Sequence, residues 1–423
     1  MTLPNQQMIA LLVFVATYIL IATGYKERTI AAMAGVGALW ALGILNQNDM
    51  MGYVNLDALG ILFGMMVIVG ALREAQFFKW LGTRVASLCG FRPRVLFIVF
   101  LAITAGLSAI LANVTVVLFM VAVTIDITEL LKVDPKPYII GEVLASNLGG
   151  VATMVGDPPN IMIATATDFT FMDFLANLAP IVVVCLLASI LFLFYYYRKQ
   201  LVTSESSRIQ LNNVDIVQDW RLFRLGLATL VVACILFAIH DRLGLSPSVI
   251  ALVAAAFLLF VGGSKMPQIL VDIEWSTLIF FTSLFIVVGG LEKTGMIHAV
   301  SELVSATVGM NQLLAVTAVL WLSSFGSAFI DNIPFVAAFI PLLQDLSSVE
   351  LGGAALWWAL ATGSGFGGNG TPIGAAANVV ATGIAAKRGI EIGFKDFVKV
   401  GIIVVFISTA IANVLLLLAH FWI

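Results

Sequence analysis

Two stretches of the chain gather the side chains and the backbone freedom needed to hold a small solute or ion. SNLGGVATMVGDPPN (Ser146–Asn160) supplies Ser146, Asn147, Thr153, Asp157 and Asn160 around Gly149, Gly150 and Gly156. GGNGTPIGAAAN (Gly367–Asn378) supplies Asn369, Thr371 and Asn378 around Gly367, Gly368, Gly370 and Gly374, with Ser364 just ahead of it. Glycine permits irregular backbone, and Pro158, Pro159 and Pro372 withdraw donors and interrupt helical ladders. Helices broken at these points would offer free N–H and C=O groups and oriented half-helix dipoles to a solute. Two shorter stretches have the same character. GLSAILANVT (Gly106–Thr115) contributes Ser108, Asn113 and Thr115, and GSAFIDNIP (Gly326–Pro334) contributes Ser327, Asp331 and Asn332.

The chemistry open to this set is hydrogen bonding to a polar solute, with proton or cation carriage at Asp157 and Asp331. Glu142 and Asp126 are weaker candidates for carriage; Asp126 and Glu129, near Lys132, read as a hairpin end at the membrane interface. A single Asn or Thr here could equally be a cap or an interhelical bond, and Asp157 could cap the helix that follows the break. Other chemistries find no support. The glycine-rich run lacks the G-K-[ST] of a phosphate loop, and no Ser/His/Asp arrangement suggests a hydrolase, so no enzyme is expected. Cys89, Cys185 and Cys234 form no C-x-x-C pair. His240, His298 and His420 are scattered and read as interfacial. No metal site, cofactor or nucleic-acid partner is expected.

The elements that must position these residues are membrane spans. The chain is 61% hydrophobic and only 11% charged, against about 25% charged in soluble domains, and its mean hydropathy is +1.07. Apolar blocks of bilayer length fall at 8–23, 29–46, 57–73, 174–197, 222–240, 246–263, 275–291 and 396–420. The N-terminus lacks a basic n-region and a small-residue cleavage site, so Met8–Thr23 is read as a first span, not a signal peptide. Residues 94–131 and 313–343 are apolar but interrupted by the two shorter polar stretches, and 137–165 and 354–386 are broken by the glycine-rich ones. The polar segment 198–221 reads as a soluble linker.

The two halves resemble one another. Gly70 and Leu72 match Gly289 and Leu291 at an offset of 219, and SAILANVT matches SAFIDNIP at the same offset. Thr153, Gly156 and Asn160 match Thr371, Gly374 and Asn378 at 218. The acids break this symmetry: Asp157 aligns with Ala375, and Asp331 with Ala112. Internal repeats of this kind are common in secondary transporters. If 94–131 and 313–343 are re-entrant hairpins and the broken helices cross, each half has five spans and the halves are inverted. With both termini outside, 19 of the 21 Lys and Arg fall inside, all but Arg242 and Lys293, in agreement with the positive-inside rule. The expectation is an all-α polytopic membrane protein of two inverted repeats, 1–197 and 222–423, joined by the cytoplasmic linker 198–221, in a plasma (bacterial inner) membrane. Irregular backbone at membrane depth must be buried in protein or line a wet cavity, so the interrupted segments should meet.

With GLSAILANVT, ASNLGGVATMVGDPPNIMIA, SAFIDNIPFVAAFIPLL and GGNGTPIGAAANVVATGIA in view, nearly the whole chain resembles the arsenite permease and pink-eyed-dilution branch of the ion transporter superfamily. NhaD-type sodium–proton antiporters and sodium-coupled dicarboxylate symporters are more distant members. The resemblance implies scaffold parts (1–73 and 222–291) and transport parts (94–197 and 313–423), a homodimer and an elevator motion. That family's first hairpin reads D-N-V-T, whereas Ala112 stands here in place of the Asp, so a two-cation stoichiometry is not implied. Because no Lys or Arg falls at the broken helices or hairpin tips, the leading expectation is proton-driven efflux of arsenite or antimonite, recognised as the hydroxide. Sodium–proton antiport and sodium-coupled dicarboxylate or inorganic anion symport remain open, with an ion channel or a structural membrane protein as the reading from another class. A soluble ATPase subunit could dock on the basic inner face.

Overall fold

Apolar runs bounded by charge, proline or glycine become helices, and every described element is helical. The computed structural model describes residues 4–202, 216–299, 311–347 and 353–421. The first half contains α1 (Pro4–Thr23), α2 (Arg28–Ala41), α3 (Gln47–Tyr53), α4 (Leu56–Glu74), α5 (Phe77–Leu88) and α6 (Pro93–Ser108). It continues with α7 (Asn113–Leu130), α8 (Lys136–Gly150), α9 (Pro158–Ala166), α10 (Phe171–Asn177) and α11 (Ala179–Tyr197). The second half contains α12 (Trp220–Leu243), α13 (Pro247–Val261), α14 (Met266–Val271) and α15 (Trp275–Lys293). After these come α16 (Gln312–Phe329), α17 (Asn332–Ser347), α18 (Gly353–Gly367), α19 (Ala376–Lys387) and α20 (Phe394–Phe421). Among the described residues, eight helices are long and apolar enough to cross a membrane.

The spans read from the sequence coincide with these helices, with two differences. The segment 29–46 is helical only to Ala41, because Gly43 turns the chain with φ 70°. The segment 174–197 belongs to two helices. A capping box between Thr170 and Asp173 starts α10, and Pro180 opens α11. Most of the expected linker, residues 203–215 with Arg208 among them, lies outside the described residues.

Each interrupted segment forms two helices that meet at its polar stretch. In the first, α6 and α7 double back: the Tyr138 hydroxyl, in the first turn of α8, donates to the Pro93 carbonyl at the start of α6 at 2.7 Å. In the second, α16 lies along α18 and α17 returns across it. The broken helices are α8/α9 and α18/α19, the latter with a tight 3-10 turn at Gly368–Gly370. Glycine makes the closest approaches possible. A Cβ on Gly149 would lie 2.2 Å from the Ala105 carbonyl oxygen, and one on Gly367 would lie 2.3 Å from that of Ser324.

Packing separates two groups of helices. In one, α13 packs on α4 and α2 on α15, with α1 and α12 alongside. In the other, the hairpins pack against the broken helices, with α11 and α20 beside them. The groups meet where α9 touches α4 and where α17 touches α15. Ion pairs close the helix ends: Lys293 binds Asp49, Arg73 binds Asp272 at 2.6 Å and Lys265 binds Glu74 at 2.9 Å. The Lys293 hydrogen bond holds the Asp49 carboxyl below the usual carboxylate range.

Candidate functional site

Each hairpin is tied to the break beside it by one threonine, at equivalent positions of the two halves. Thr153 donates to the Ala109 carbonyl, and Thr371 donates to the Ala328 carbonyl at 2.5 Å. Two asparagines clip the breaks themselves. The Asn160 amide donates to the carbonyls of Val151 (3.0 Å) and Thr153 (2.7 Å). The Asn378 amide donates to those of Gly368 (2.7 Å) and Thr371 (2.8 Å). Carbonyls freed from helical ladders are thus satisfied by side chains, as buried backbone requires. For these four residues the geometry is that of backbone restraints, and it recurs at the sequence offset of 218.

At the centre is Asp157, which is buried. It stands at the N-cap position of α9 but makes no capping bond, so the capping alternative does not hold. Its carboxylate instead accepts one amide from each hairpin: Asn113 Nδ2 at 3.1 Å and Asn332 Nδ2 at 2.9 Å. Asn113 cannot present its other face, because its Oδ1 accepts the Val114 N–H at 2.8 Å. Asn147 joins the halves, donating to Asn369 Oδ1 at 2.9 Å and Asn378 Oδ1 at 2.8 Å while lying 3.4 Å from the Asn113 amide. Asn369 in turn donates to the Leu144 carbonyl at 3.1 Å. The hydroxyls are placed around this cluster. Ser108 and Ser146 share a bond of 2.8 Å, and Ser327 donates to the Ser364 carbonyl at 2.6 Å. The Ser364 hydroxyl is spent within its own helix, on the Leu360 carbonyl.

Two residues expected at the site lie at its edge. Thr115 is outside the asparagine cluster and faces a small cavity, of about 30 Å³, lined also by Arg28, Glu274, Thr277, Pro158 and Ile333. Asp331 does not join Asp157. Its Oδ2 accepts from Arg28 Nη1 at 3.1 Å, and its Oδ1 accepts the Ile333 N–H at 3.1 Å. The absence of Lys or Arg from the hairpin tips is therefore corrected: Arg28 reaches the second tip from the start of α2, with its guanidinium over the Phe280 ring. Tyr18 reaches the same tip, donating to the Pro334 carbonyl at 2.6 Å. Sequence reasoning missed both. The only signal was the position of Arg28 at the very start of a span, where it reads as an ordinary flanking charge. On the other side of the contact, a second cavity of about 200 Å³ is lined by Asn55, Thr165, Glu292 and Gln344 among others. Asp126 pairs with Arg388 at 3.2 Å and is half exposed, in keeping with an interfacial helix end.

The arrangement is a buried cluster of amides, hydroxyls and one carboxylate, and neither cavity is lined by Asp157, Asn113, Asn147 or Asn332. The profile of a family described as citrate transporter, CitMHS, matches residues 18–363. The chain is 37% identical to Uncharacterized transporter Rv2684 of Mycobacterium tuberculosis, over 98% of each. It is 30% identical to the P protein of Homo sapiens, over 98% of this chain and 60% of that one. The solved structure of MtrF from Neisseria gonorrhoeae, described as illuminating a class of antimetabolite efflux pumps, superposes with a TM-score of 0.62 at 14% identity, covering 99% of this chain and 96% of that one. At that identity the likeness shows the fold. The profile match and the near full-length relatives establish more: the chain belongs to the CitMHS citrate transporter family of the ion transporter superfamily and is a multi-pass secondary transporter.

Proposed function

We propose that the chain exports a small neutral oxyacid, arsenous or antimonous acid, in exchange for protons carried at Asp157. The observation that carries this reading is the Asp157 clasp. One carboxylate is held by an amide from each hairpin, and the surrounding cluster is built of amides and hydroxyls. A neutral polyhydroxy solute suits such a lining, because each hydroxyl can both donate and accept. A buried carboxylate in a spanning segment is by default a transport residue. In this reading the helix group with α4 and α13 is a scaffold, and the group with the hairpins slides past it as an elevator. The basic end faces the cytoplasm of a bacterial inner membrane, both termini face outward, and two copies form a dimer. An ATPase subunit could use the basic face.

A second reading is favoured by Arg28. This cation at the rim would suit an anion, and the family's description as citrate transporters points the same way, with sodium as the coupling ion. Everted membrane vesicles separate the two. The first reading expects arsenite uptake driven by an imposed proton gradient and indifferent to sodium. Sodium-dependent uptake of citrate or succinate, without arsenite flux, would overturn it.

Arg28→Gln sharpens the comparison. An anion carrier loses affinity, its KM rising about 10-fold for each 1.4 kcal/mol of lost pairing. The oxyacid exporter keeps its KM and changes only in turnover, since the pair with Asp331 joins the scaffold side to the hairpin. Initial rates across substrate concentration make the distinction.

A further inference from the structure

A second carboxyl lies inside the bundle, apart from the Asp157 clasp. Glu142, on α8, is fully buried. Its Oε1 accepts the Thr124 hydroxyl from α7 at 2.7 Å, and its Oε2 has no hydrogen-bond partner among the described residues. Thr104, on the α6 helix packed against α8, also has a buried hydroxyl with no partner among the described residues. A carboxylate in that place would keep one bond and no counter-ion, which is among the more costly ways to bury a charge.

Among the described residues no charged group pairs with it. Between Arg94 and Ser108 α6 has no ionisable residue, α18 has none at all, and α11 has no Asp, Glu, Lys, Arg or His, its ionisable groups being Cys185 and Tyr195, Tyr196 and Tyr197. The charges of α7 are Asp126, paired outward with Arg388, and the exposed Glu129. Lys136 sits at the start of α8 itself, Lys387 at the end of α19, and Lys395, Asp396 and Lys399 in the first turns of α20. Tyr138, one turn before Glu142, donates its hydroxyl hydrogen bond to the Pro93 carbonyl.

Packing alone does not call for this acid. At the repeat offsets, Thr124 corresponds to Leu343 and Glu142 to Leu360, both fully buried. Both of the corresponding positions in the second half are therefore apolar. Glu142 is also placed to communicate with the site. Residues four apart share a helix face, so Glu142 stands one turn from Ser146, whose hydroxyl meets Ser108 at 2.8 Å and approaches the Asn113 carbonyl at 3.4 Å. Asn113 holds Asp157.

We infer that Glu142 is a second proton-binding site of the transport cycle, taking its proton at Oε2 and moving with Asp157 on the same helix pair. This rests on the proton-coupled reading above.

The test is reconstitution of wild type, Glu142→Gln and Glu142→Asp in liposomes carrying an internal pH dye, with arsenite as the solute. Protons moved per arsenite are counted alongside arsenite–arsenite exchange at zero gradient. The expected result is that Glu142→Gln retains exchange while the ratio falls by about one proton per solute, and that Glu142→Asp restores it. An unchanged ratio in an exchanging Glu142→Gln protein overturns the inference. If Glu142→Gln does not fold, Thr124→Val decides: it keeps the acid but removes its one partner, and should move the pH at which that proton is released. No movement of that pH overturns the inference. Wild type that moves arsenite without protons brings down the coupled reading itself, an outcome distinct from either.

Discussion

Asp157→Asn is expected to abolish proton-driven accumulation of solute while leaving a folded protein that exchanges solute across the membrane. The substitution keeps the shape but removes the titrating group. It also has a structural cost. Asn113 and Asn332 both present amide donors to Asp157, and the Asn113 amide is oriented by its bond to Val114. A carboxamide at 157 must therefore set one N–H group against another donor, for a loss of about 1–3 kcal/mol. Asp157→Ala strands both donors and should cost about twice as much. In vesicles, accumulation by Asp157→Asn should fall to the level seen without a gradient, with exchange persisting. Gradient-driven accumulation at the wild-type level would exclude Asp157 as the carrier.

Gly149→Ala and Gly367→Ala should each destabilise the protein by about 1–3 kcal/mol or more, as overpacking does when backbone is what must move. The added methyl would lie 2.2 Å from the Ala105 carbonyl oxygen in the first case and 2.3 Å from that of Ser324 in the second. In each half, then, a hairpin arm rests directly on the backbone of the broken helix. Gly106→Ala and Gly383→Ala are the controls. A Cβ at either meets nothing within 4 Å, and helix propensity alone would make them neutral or stabilising by about 0.5–1 kcal/mol. Thermal unfolding of the purified protein in detergent, followed by size-exclusion profile, ranks the four variants. Equal loss at Gly106 and Gly149 would refute the argument from contact.

Much of this site could be read from the chain before its structure. Paired motifs at offsets of 218 and 219 marked Thr153 with Thr371 and Asn160 with Asn378, and each pair makes equivalent bonds. Local composition sufficed there, because a broken helix must satisfy its carbonyls with nearby side chains. Contacts between distant segments carry no such local signature. Arg28 meets Asp331 across 303 positions of sequence, and a basic residue at a span end has an ordinary explanation in topology. Ser364 misled in the opposite direction. Its hydroxyl bonds back to Leu360, a habit of buried serines in helices that spacing alone does not reveal. Thr115 was drawn toward the cluster by its neighbour Asn113, yet two positions further along α7 its side chain faces the cavity beside Arg28.

The clasp on Asp157 also bears on slippage. Its two amides come from opposite halves of the chain, so any opening that swings the second hairpin outward removes Asn332 and bares one carboxylate oxygen. An empty carrier with that oxygen exposed is poorly stabilised, whereas one holding a solute hydroxyl or a proton is not. In the proposed exchange cycle the second hairpin would therefore work as a fuse against leak. It would part readily only when something has arrived to take the place of its amide, and a futile half-cycle that dissipates the gradient would be resisted by the same bond that shapes the candidate site.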